Sequence, residues 1–181
     1  MTHVPTIHAE RVDLVSMSPA FLQASLDRRL ADAERLLGAA LPADWPGDRA
    51  RVVRWRLDEI AVNPAAQPWL LRGIVLREPE RRMIGNVGFH EPPGPDGKVE
   101  IGYTVLAEYR RRGFALEAVQ ALFAWATREH GIRRFVASIG PWNDPSLGLA
   151  RKLGFVQTGS QMDDEDGEEL VFELDRRSTE P

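Results

Sequence analysis

Near residue 64 the apolar residues change from helical to alternating spacing, and the resulting order of elements limits the folds open to this chain. Before the change, residues 11–17 alternate and predict a strand. Apolar residues at helical spacing then run from Ser18-Pro19 to Gly38, with a break near Asp27, and again over 49–62. After the change come three segments that alternate as strands do: 70–77, 82–90 and 98–106.

The remainder of the chain alternates between helices and strands. A helix is predicted from Gly113 to about His130, a short apolar strand over 134–139, and a helix from Asp144-Pro145 to Gly154. Two further strands, 155–162 and 168–174, are predicted to form a hairpin. Because several strands follow one another before the long helix, the order indicates a mixed α/β sheet and not a regularly wound parallel one.

Length, composition and charge narrow the classes of protein to which the chain can belong. Its 181 residues correspond to one domain, and the lack of cysteine excludes disulfides, cysteine-ligated zinc, iron–sulfur clusters and thiol nucleophiles. The net charge of −4 argues against a surface that binds nucleic acid or an anionic membrane throughout. No apolar run approaches the ~18 residues of a membrane span. The N-terminal residues lack the pattern of a secretion signal, so a cytoplasmic location is expected.

A basic loop, Tyr109 to Ala115, lies between a predicted strand and the long helix that follows it. Such a junction presents backbone N–H groups and a helix N-terminus to one point, which is a phosphate-binding arrangement. Gly113 allows a ligand to approach the backbone, and the arginines before it suit a pyrophosphate or a 3′-phosphate. A solvated basic turn and a nucleic-acid contact are the alternatives. The acidic balance and the lack of interleaved aromatic residues disfavour nucleic acid.

Two common phosphate loops are excluded by their motifs. The sequence has no Gly-x-x-x-x-Gly-Lys-Ser/Thr, which excludes a P-loop NTPase. It also has no Gly-x-Gly-x-x-Gly, so the dinucleotide-binding fingerprint is missing. If the basic loop binds phosphate, it therefore belongs to another class of site.

From about Met83 to Phe155 the chain resembles the GNAT (Gcn5-related N-acetyltransferase) family, and most of all its branch of ribosomal-protein N-terminal acetyltransferases. The family's acetyl-CoA signature, Gln/Arg-x-x-Gly-x-Gly/Ala, is matched by Arg110 to Ala115. Further segments match the family's central strand, the start of its helix and its second half-motif: Glu100-Ile101-Gly102-Tyr103-Thr104-Val105, Glu117-Ala118, Asn143-Asp144-Pro145-Ser146 and Arg151-Lys152-Leu153-Gly154-Phe155.

The resemblance implies both a fold and an activity. The fold is α/β (α+β), with a mixed, mostly antiparallel sheet of about six to seven strands flanked by helices. One acetyltransferase domain over 1–181 would consist of an N-terminal strand and helices (1–65), an acetyl-CoA-binding core (70–155) and a C-terminal hairpin (155–175). The activity is direct transfer of the acetyl group of acetyl-CoA, the cosubstrate, to a primary amine without an acetyl-enzyme. No metal is implied.

Several alternatives to this activity remain open. The acceptor is either a protein N-terminus or a small-molecule amine, and a homodimer is one of the open oligomeric states. A catalytically silent acetyl-CoA-binding sensor or interaction module on the same fold is the alternative to an enzyme. Cofactor binding without turnover over a broad panel of amines would favour that alternative.

The resemblance also assigns cofactor-binding residues. Backbone groups of Thr104 and Val105 would meet the pantetheine arm and the thioester carbonyl, and Asn143 and Ser146 would contact the cofactor. Because Asp144 is expected to cap the following helix, the side chain of Asn143 would be free to reach a ligand. The pyrophosphate would be held by six consecutive residues: Arg110, Arg111, Arg112, Gly113, Phe114 and Ala115.

Glu100 and His90 are the two candidates for the general base. Period-two geometry puts Glu100, Gly102 and Thr104 on one face of their strand, where a carboxylate could face the substrate cleft. His90 ends the preceding strand, and its imidazole titrates near neutral pH. A solvated or salt-bridged Glu100 and a structural His90 are the alternatives. Many family members carry a tyrosine that protonates the departing thiolate; here that position is Ala150, which leaves the general acid unassigned.

Overall fold

The computed structural model describes residues 4–164 and 167–176, which form one sheet flanked by helices. The strands are β1 (Ile7–His8), β2 (Val12–Ser16), β3 (Arg72–Leu76), β4 (Arg82–Phe89), β5 (Lys98–Val105), β6 (Arg134–Ile139), β7 (Val156–Asp163) and β8 (Gly167–Asp175). The α-helices are α1 (Pro19–Leu26), α2 (Leu30–Leu37), α3 (Ala50–Val62), α4 (Phe114–His130) and α5 (Asp144–Leu153). Short 3-10 helices cover Gly47–Arg49, Pro64–Ala66 and Ala107–Tyr109.

The strands follow the order β1-β2-β3-β4-β5-β6-β8-β7 in the sheet. Neighbouring strands are antiparallel except β5 and β6, which are parallel because α4 crosses between them. The predicted mixed, mostly antiparallel sheet with flanking helices is therefore confirmed, with eight strands in the described residues instead of six to seven. The additional strand is β1, whose two residues are too few to produce a recognisable alternation.

The stripe of apolar residues after Ser18 forms two helices. Ser18 caps α1, because its side chain accepts a hydrogen bond from the N–H of Phe21 at 3.2 Å. α1 ends at Leu26, with Asp27 as its C-cap residue, and Arg28 has a left-handed φ of 60° that redirects the chain. The predicted break near Asp27 is thus confirmed.

Helices cover both faces of the sheet, and each face has its own apolar cluster. α4 packs on one face, where Phe123 stacks on Phe135 of β6 with ring centroids 3.9 Å apart. α1, α2 and α3 pack on the other face. The alternation of strand side chains explains the division, since the neighbours Ile74 and Val75 of β3 belong to different clusters. No helix among the described residues is both long enough and apolar enough to cross a membrane.

The parallel strands β5 and β6 separate along their length. Only Lys98–Glu100 of β5 pairs with Arg134–Val136 of β6. Beyond that point β5 continues to Val105 and β6 to Ile139 without a shared register. A wedge therefore opens toward the carboxyl ends of the two strands. Ligands of open α/β sheets bind at such carboxyl ends, where neighbouring strands diverge.

Candidate active site

The wedge opens into a cavity of about 800 Å³. α4 begins just beyond the end of β5 and α5 just beyond the end of β6, so residues from two helix N-termini line the cavity. The first N–H groups of a helix have no intrahelical partner and carry partial positive charge. The arrangement therefore favours an anionic ligand.

Nine of the ten residues that the sequence analysis assigned to cofactor binding line this cavity: Thr104, Val105, Arg110, Arg111, Gly113, Phe114, Ala115, Asn143 and Ser146. The tenth, Arg112, packs its guanidinium over the rings of Tyr109 and Phe114, 5.8 and 5.5 Å from their centroids. Its carbonyl accepts a hydrogen bond of 3.1 Å from Arg11. The fold therefore does not bring Arg112 to the cavity. The left-handed φ of Arg111, 60°, reverses the chain just before it.

Backbone groups of β5 face β4 and the wedge alternately. The N–H of Leu106 donates to the carbonyl of Ile84 in β4 at 2.9 Å. Because backbone groups alternate along a strand, the N–H and C=O groups of the even-numbered residues of β5 also point toward β4. The backbone groups of Tyr103 and Val105 consequently point into the wedge. The prediction that Thr104 offers its backbone to a ligand is wrong, because its backbone faces β4. Tyr103 takes that place, and the alternation of strand backbone was the signal that could have identified it.

The loop after β5 has a shape that exposes its N–H groups. The Nε of Arg110 donates to the carbonyl of Val105 at 2.8 Å, which ties the loop back to the strand. Arg111 and Gly113 both have left-handed backbones, with φ of 60° and 85°. Left-handed residues within such a turn direct successive N–H groups toward one point. Since Gly113 has no side chain that could cap α4, the N-terminus of this helix is left open to a ligand.

Four cationic side chains border the cavity: Arg49, Arg110, Arg111 and Lys152. Within residues 4–164 and 167–176, none of these four forms an ion pair. Many arginines elsewhere are paired, as Arg81 is with Asp13 at 2.6 Å. A group of unneutralised cations at one cavity of an acidic protein indicates an anionic ligand.

Asn143, and not Asp144, caps α5. Its Oδ1 accepts a hydrogen bond from the N–H of Ser146 at 3.2 Å, and Asp144 is already the first helical residue. The expectation that a capping Asp144 leaves the side chain of Asn143 free is therefore wrong. Asn143 still lines the cavity, where the nitrogen of its side-chain amide is a hydrogen-bond donor.

Tyr103 contributes a phenol to the cavity wall. Its hydroxyl interacts electrostatically with the nearby Ser146 at the start of α5, and both residues line the cavity. Burial raises the pKa of Tyr103, and the nearby Ser146 hydroxyl offsets only part of that rise, so the phenol stays protonated through the neutral range. Ala150 packs in the apolar cluster and is 3% exposed. Tyr103 is thus a protonated donor that the sequence analysis did not single out.

The two candidate bases lie side by side on the face of β5 away from α4. The Nδ1 of His90 is 3.7 Å from the Oε1 of Glu100, and both side chains are partly exposed. The ring of His90 lies over Gly102, where a Cβ would approach its Nε2 to 2.8 Å, so glycine leaves room for the ring. The buried guanidinium of Arg56 donates to the carbonyl of His90 at 2.8 Å and holds the end of β4 in place.

Residues 21–156 match the protein family described as the acetyltransferase (GNAT) domain. The match covers most of the chain, and the chain belongs to this family. The resemblance inferred from the motifs is thereby confirmed, and with it the class of enzyme, an acyltransferase.

Individual proteins that are similar to this chain carry N-acetyltransferase names, in agreement with the family match. The chain is 28% identical over 120 residues to the uncharacterized N-acetyltransferase YjdG of Bacillus subtilis, covering 66% of this chain and 71% of that protein. It is 34% identical over 86 residues to the uncharacterized N-acetyltransferase p20 of Bacillus licheniformis, and the match spans 48%, about half, of each.

The fold is shared with solved structures of the ribosomal-protein branch. One is RimL, a ribosomal L7/L12 alpha-N-protein acetyltransferase solved in complex with coenzyme A. It aligns with a TM-score of 0.65 at 17% identity, over 94% of this chain and 98% of that one. At this identity the likeness shows the fold, and the branch indicated by the motifs is among the chain's structural neighbours.

Proposed function

We propose that this protein transfers the acetyl group of acetyl-CoA to a primary amine. The observation that carries the proposal is the convergence on one cavity of two helix N-termini and four cationic side chains without ion-pair partners in the described residues. A ligand with a pyrophosphate supplies the negative charge that this arrangement lacks. Membership of the GNAT family and the N-acetyltransferase relatives support an acetyl donor.

Each part of the donor has a matching part of the cavity. The N–H groups of Phe114 and Ala115 and the side chains of Arg110 and Arg111 would hold the pyrophosphate. The pantetheine arm would lie in the wedge, where it replaces β6 as the hydrogen-bonding neighbour of β5. There the backbone groups of Tyr103 and Val105 and the side-chain amide of Asn143 are available.

Direct transfer requires a group that takes a proton from the amine. Glu100 is the last residue of β5 that pairs with β6, so it lies where the wedge begins. Its carboxylate and the imidazole of His90 would share this role as one pair, directly or through a water molecule. The amine nitrogen then attacks the thioester carbonyl, and the N–H of Tyr103, a wedge-facing residue of β5 nearer to Glu100 and His90, stabilises the developing oxyanion.

Completion of the reaction requires a proton for the thiolate that leaves. Ala150 cannot supply one, whereas the phenol of Tyr103 lies in the wall of the cavity that Ser146 also lines. We assign the proton donor to Tyr103, which recovers its proton from solvent through Ser146. The C–S bond breaks, the amide C–N bond forms, and no acetyl group is attached to the protein at any stage.

Calorimetric titration of the protein with acetyl-CoA tests the first half of the proposal, and release of free thiol in the presence of amines and N-terminal peptides tests the second. Micromolar binding together with amine-dependent thiol release is the expected result. Absence of binding in a folded sample would overturn the assignment of the cavity. Binding without turnover on any amine would favour the silent sensor or interaction module.

A further inference from the structure

Arg56, a buried cation of α3, contacts the residue at which β4 ends. Its guanidinium donates to the carbonyl of His90 at 2.8 Å and to the Oε2 of Glu59 at 2.6 Å. Glu59 lies one turn further along α3, so the ion pair fixes the guanidinium on its own helix. Helix α3 is therefore connected directly to one member of the proposed base pair.

Core packing alone does not account for an arginine at this position. Arg56 is 5% exposed and lies between the buried Val53 and Ile60 of α3, where an apolar side chain would continue the stripe. Burial of a charge is costly, and one ion pair seldom returns more than that cost. The Nε of Arg56 is also buried and has no hydrogen-bond partner in the described chain. These costs indicate a role for the bonds that the guanidinium does make.

The guanidinium is held in one orientation by contacts on several sides. Its carbon lies 4.2 Å from the ring centroid of Trp55, an exposed neighbour that covers it. The carboxylate of Glu59 holds one edge of the plane. Because the guanidinium is planar and rigid, fixing it on α3 also fixes the position of the carbonyl to which it donates.

The backbone of His90 is held at both of its polar groups. Its N–H donates to the carbonyl of Glu100 at 2.8 Å, while its C=O accepts from Arg56. In the part of the chain that the structure describes, the imidazole makes no hydrogen bond of its own, and its Nδ1 is 3.7 Å from Glu100. The turn that follows, 91–97, is mostly exposed. The place of the imidazole therefore depends on the two backbone bonds.

We infer that Arg56 is a positioning residue for the acetyl transfer, which acts through the carbonyl of His90 to hold the imidazole beside Glu100. Arg56 lines neither the large cavity proposed to hold acetyl-CoA nor the smaller one, of about 220 Å³, that adjoins it. It therefore affects the proton transfer and not the binding of the donor. This inference rests on the proposed function, which it deepens by naming the residue that places its base.

Replacement of Arg56 by Lys is the first test. The variant keeps a positive charge beside Glu59, but one ammonium group lacks the planar fork that holds two acceptors at once. The kcat for thiol release, with the fastest amine of the panel above, is expected to fall about tenfold or more, since a misplaced catalytic group costs that much. The affinity for acetyl-CoA, measured by calorimetric titration, should be unchanged. Arg54→Lys, at an exposed position of the same helix, is the matched control and should keep the wild-type kcat.

A double variant tests whether the effect passes through His90. In a His90→Ala background, Arg56→Lys should lower kcat much less than it does in the wild type, because the side chain that it positions is absent. A general disturbance of the fold would lower kcat to the same extent in both backgrounds. Equal losses would therefore overturn the inference.

Nitrogen–proton NMR correlations of the imidazole rings give a readout that does not depend on turnover. Arg56→Lys should shift the resonances of His90, and so should Glu59→Gln, which removes the anchor of the guanidinium on α3. Those of His8 and His130 should stay in place. Unchanged His90 resonances, or a wild-type kcat in Arg56→Lys, would overturn the inference while the proposed function stands. Shifted resonances in a protein that acetylates no amine would overturn the proposed function and leave the placement of His90 intact.

Discussion

The Nδ1 of His90 lies 3.7 Å from the Oε1 of Glu100, although His90 follows β4, Glu100 lies in β5, and a turn rich in proline and glycine separates them. Both side chains lie on the face of β5 opposite α4, and Glu100 marks the point at which β5 and β6 part. The two candidate bases are therefore neighbours at one point of the fold. The proposed proton acceptor is therefore the pair of side chains and not either residue alone.

Replacement of Glu100 by Gln is expected to lower kcat/KM by about a hundredfold, the usual contribution of a general base. The affinity for acetyl-CoA should be unchanged, because Glu100 does not line the large cavity in which the cofactor is proposed to bind. His90→Ala should also lower the rate, because its imidazole adjoins Glu100. Glu91→Gln, an exposed neighbour, is the matched control. A Glu100→Gln variant with the wild-type rate and pH profile would exclude the pair as the base.

Arg111→Glu and Arg112→Glu are expected to differ, although they make the same change of charge at adjacent positions. Arg111 lines the large cavity, whereas Arg112 packs over Tyr109 and Phe114. Reversal at Arg111 should weaken acetyl-CoA binding at least tenfold, a loss of about 1.4 kcal/mol or more, and reversal at Arg112 should do so much less. Calorimetric titration of both variants measures the difference. Equal losses of affinity would show that the loop attracts acetyl-CoA by its total charge, whichever arginine carries that charge.

Tyr103→Phe is expected to lower kcat about tenfold or more while the affinity for acetyl-CoA stays the same, because the phenol supplies a proton only after the C–S bond begins to break. Burial raises the pKa of Tyr103, so the wild type should keep its kcat into the alkaline range, until the phenol loses its proton. Stopped-flow or steady-state thiol release over that range provides the measurement. Ser146→Ala should reproduce part of the defect. An unchanged kcat in Tyr103→Phe would leave water as the proton donor.

Asp13 is the centre of a charge cluster remote from the cavities, and it makes stability depend on pH. Its carboxylate accepts hydrogen bonds from Arg81 at 2.6 Å and from His8 at 2.8 Å. Burial raises the pKa of Asp13, but the bonds from Arg81 and His8 lower it by more, so that it lies below 3.8. A carboxyl with a depressed folded pKa stabilises the fold above its unfolded pKa, and this contribution is lost as the pH falls through the folded pKa.

Asp13→Asn is accordingly expected to reduce the free energy of unfolding by about 1–3 kcal/mol at neutral pH. The deficit should shrink as the pH falls below about 4, the ordinary pKa of an unfolded Asp, and should be lost once the pH has passed through the lower folded pKa of Asp13. Urea denaturation at neutral and acidic pH measures both values. The exposed Asp58→Asn variant should show neither effect. A deficit that is the same at both pH values would mean that packing, and not charge, accounts for the role of Asp13.

Most of the fold follows from local patterns in the chain. The spacing of apolar residues predicted the helices and seven of the eight strands found in the described residues, and Ser18 and Gly131 correctly marked a helix start and a helix end. Only the two-residue strand β1 was missed. These features are local because backbone conformation depends on side chains a few residues apart, which the sequence displays directly.

Within the site, the motif located the correct segment of the chain, but it did not show which side chains of that segment line the cavity. The basic loop was located by its motif, but which of its arginines faces the cavity depends on the left-handed backbones of Arg111 and Gly113. Likewise, Asn143 and Asp144 are both good capping residues, and the choice between them depends on where the helical conformation begins. A shift of one residue reverses the direction of a side chain, and composition does not determine such a shift.

The sequence by itself determined the order of elements, the basic character of the loop at Gly113 and the family, because each depends on residues close together in the chain. The tertiary structure alone decided the wedge between β5 and β6, the contact of His90 with Glu100, and the bond from Arg56 to the carbonyl of His90. These relationships join residues that are ten or more positions apart in the chain. They depend on how the helices pack on the two faces of the sheet, since packing sets which distant side chains meet.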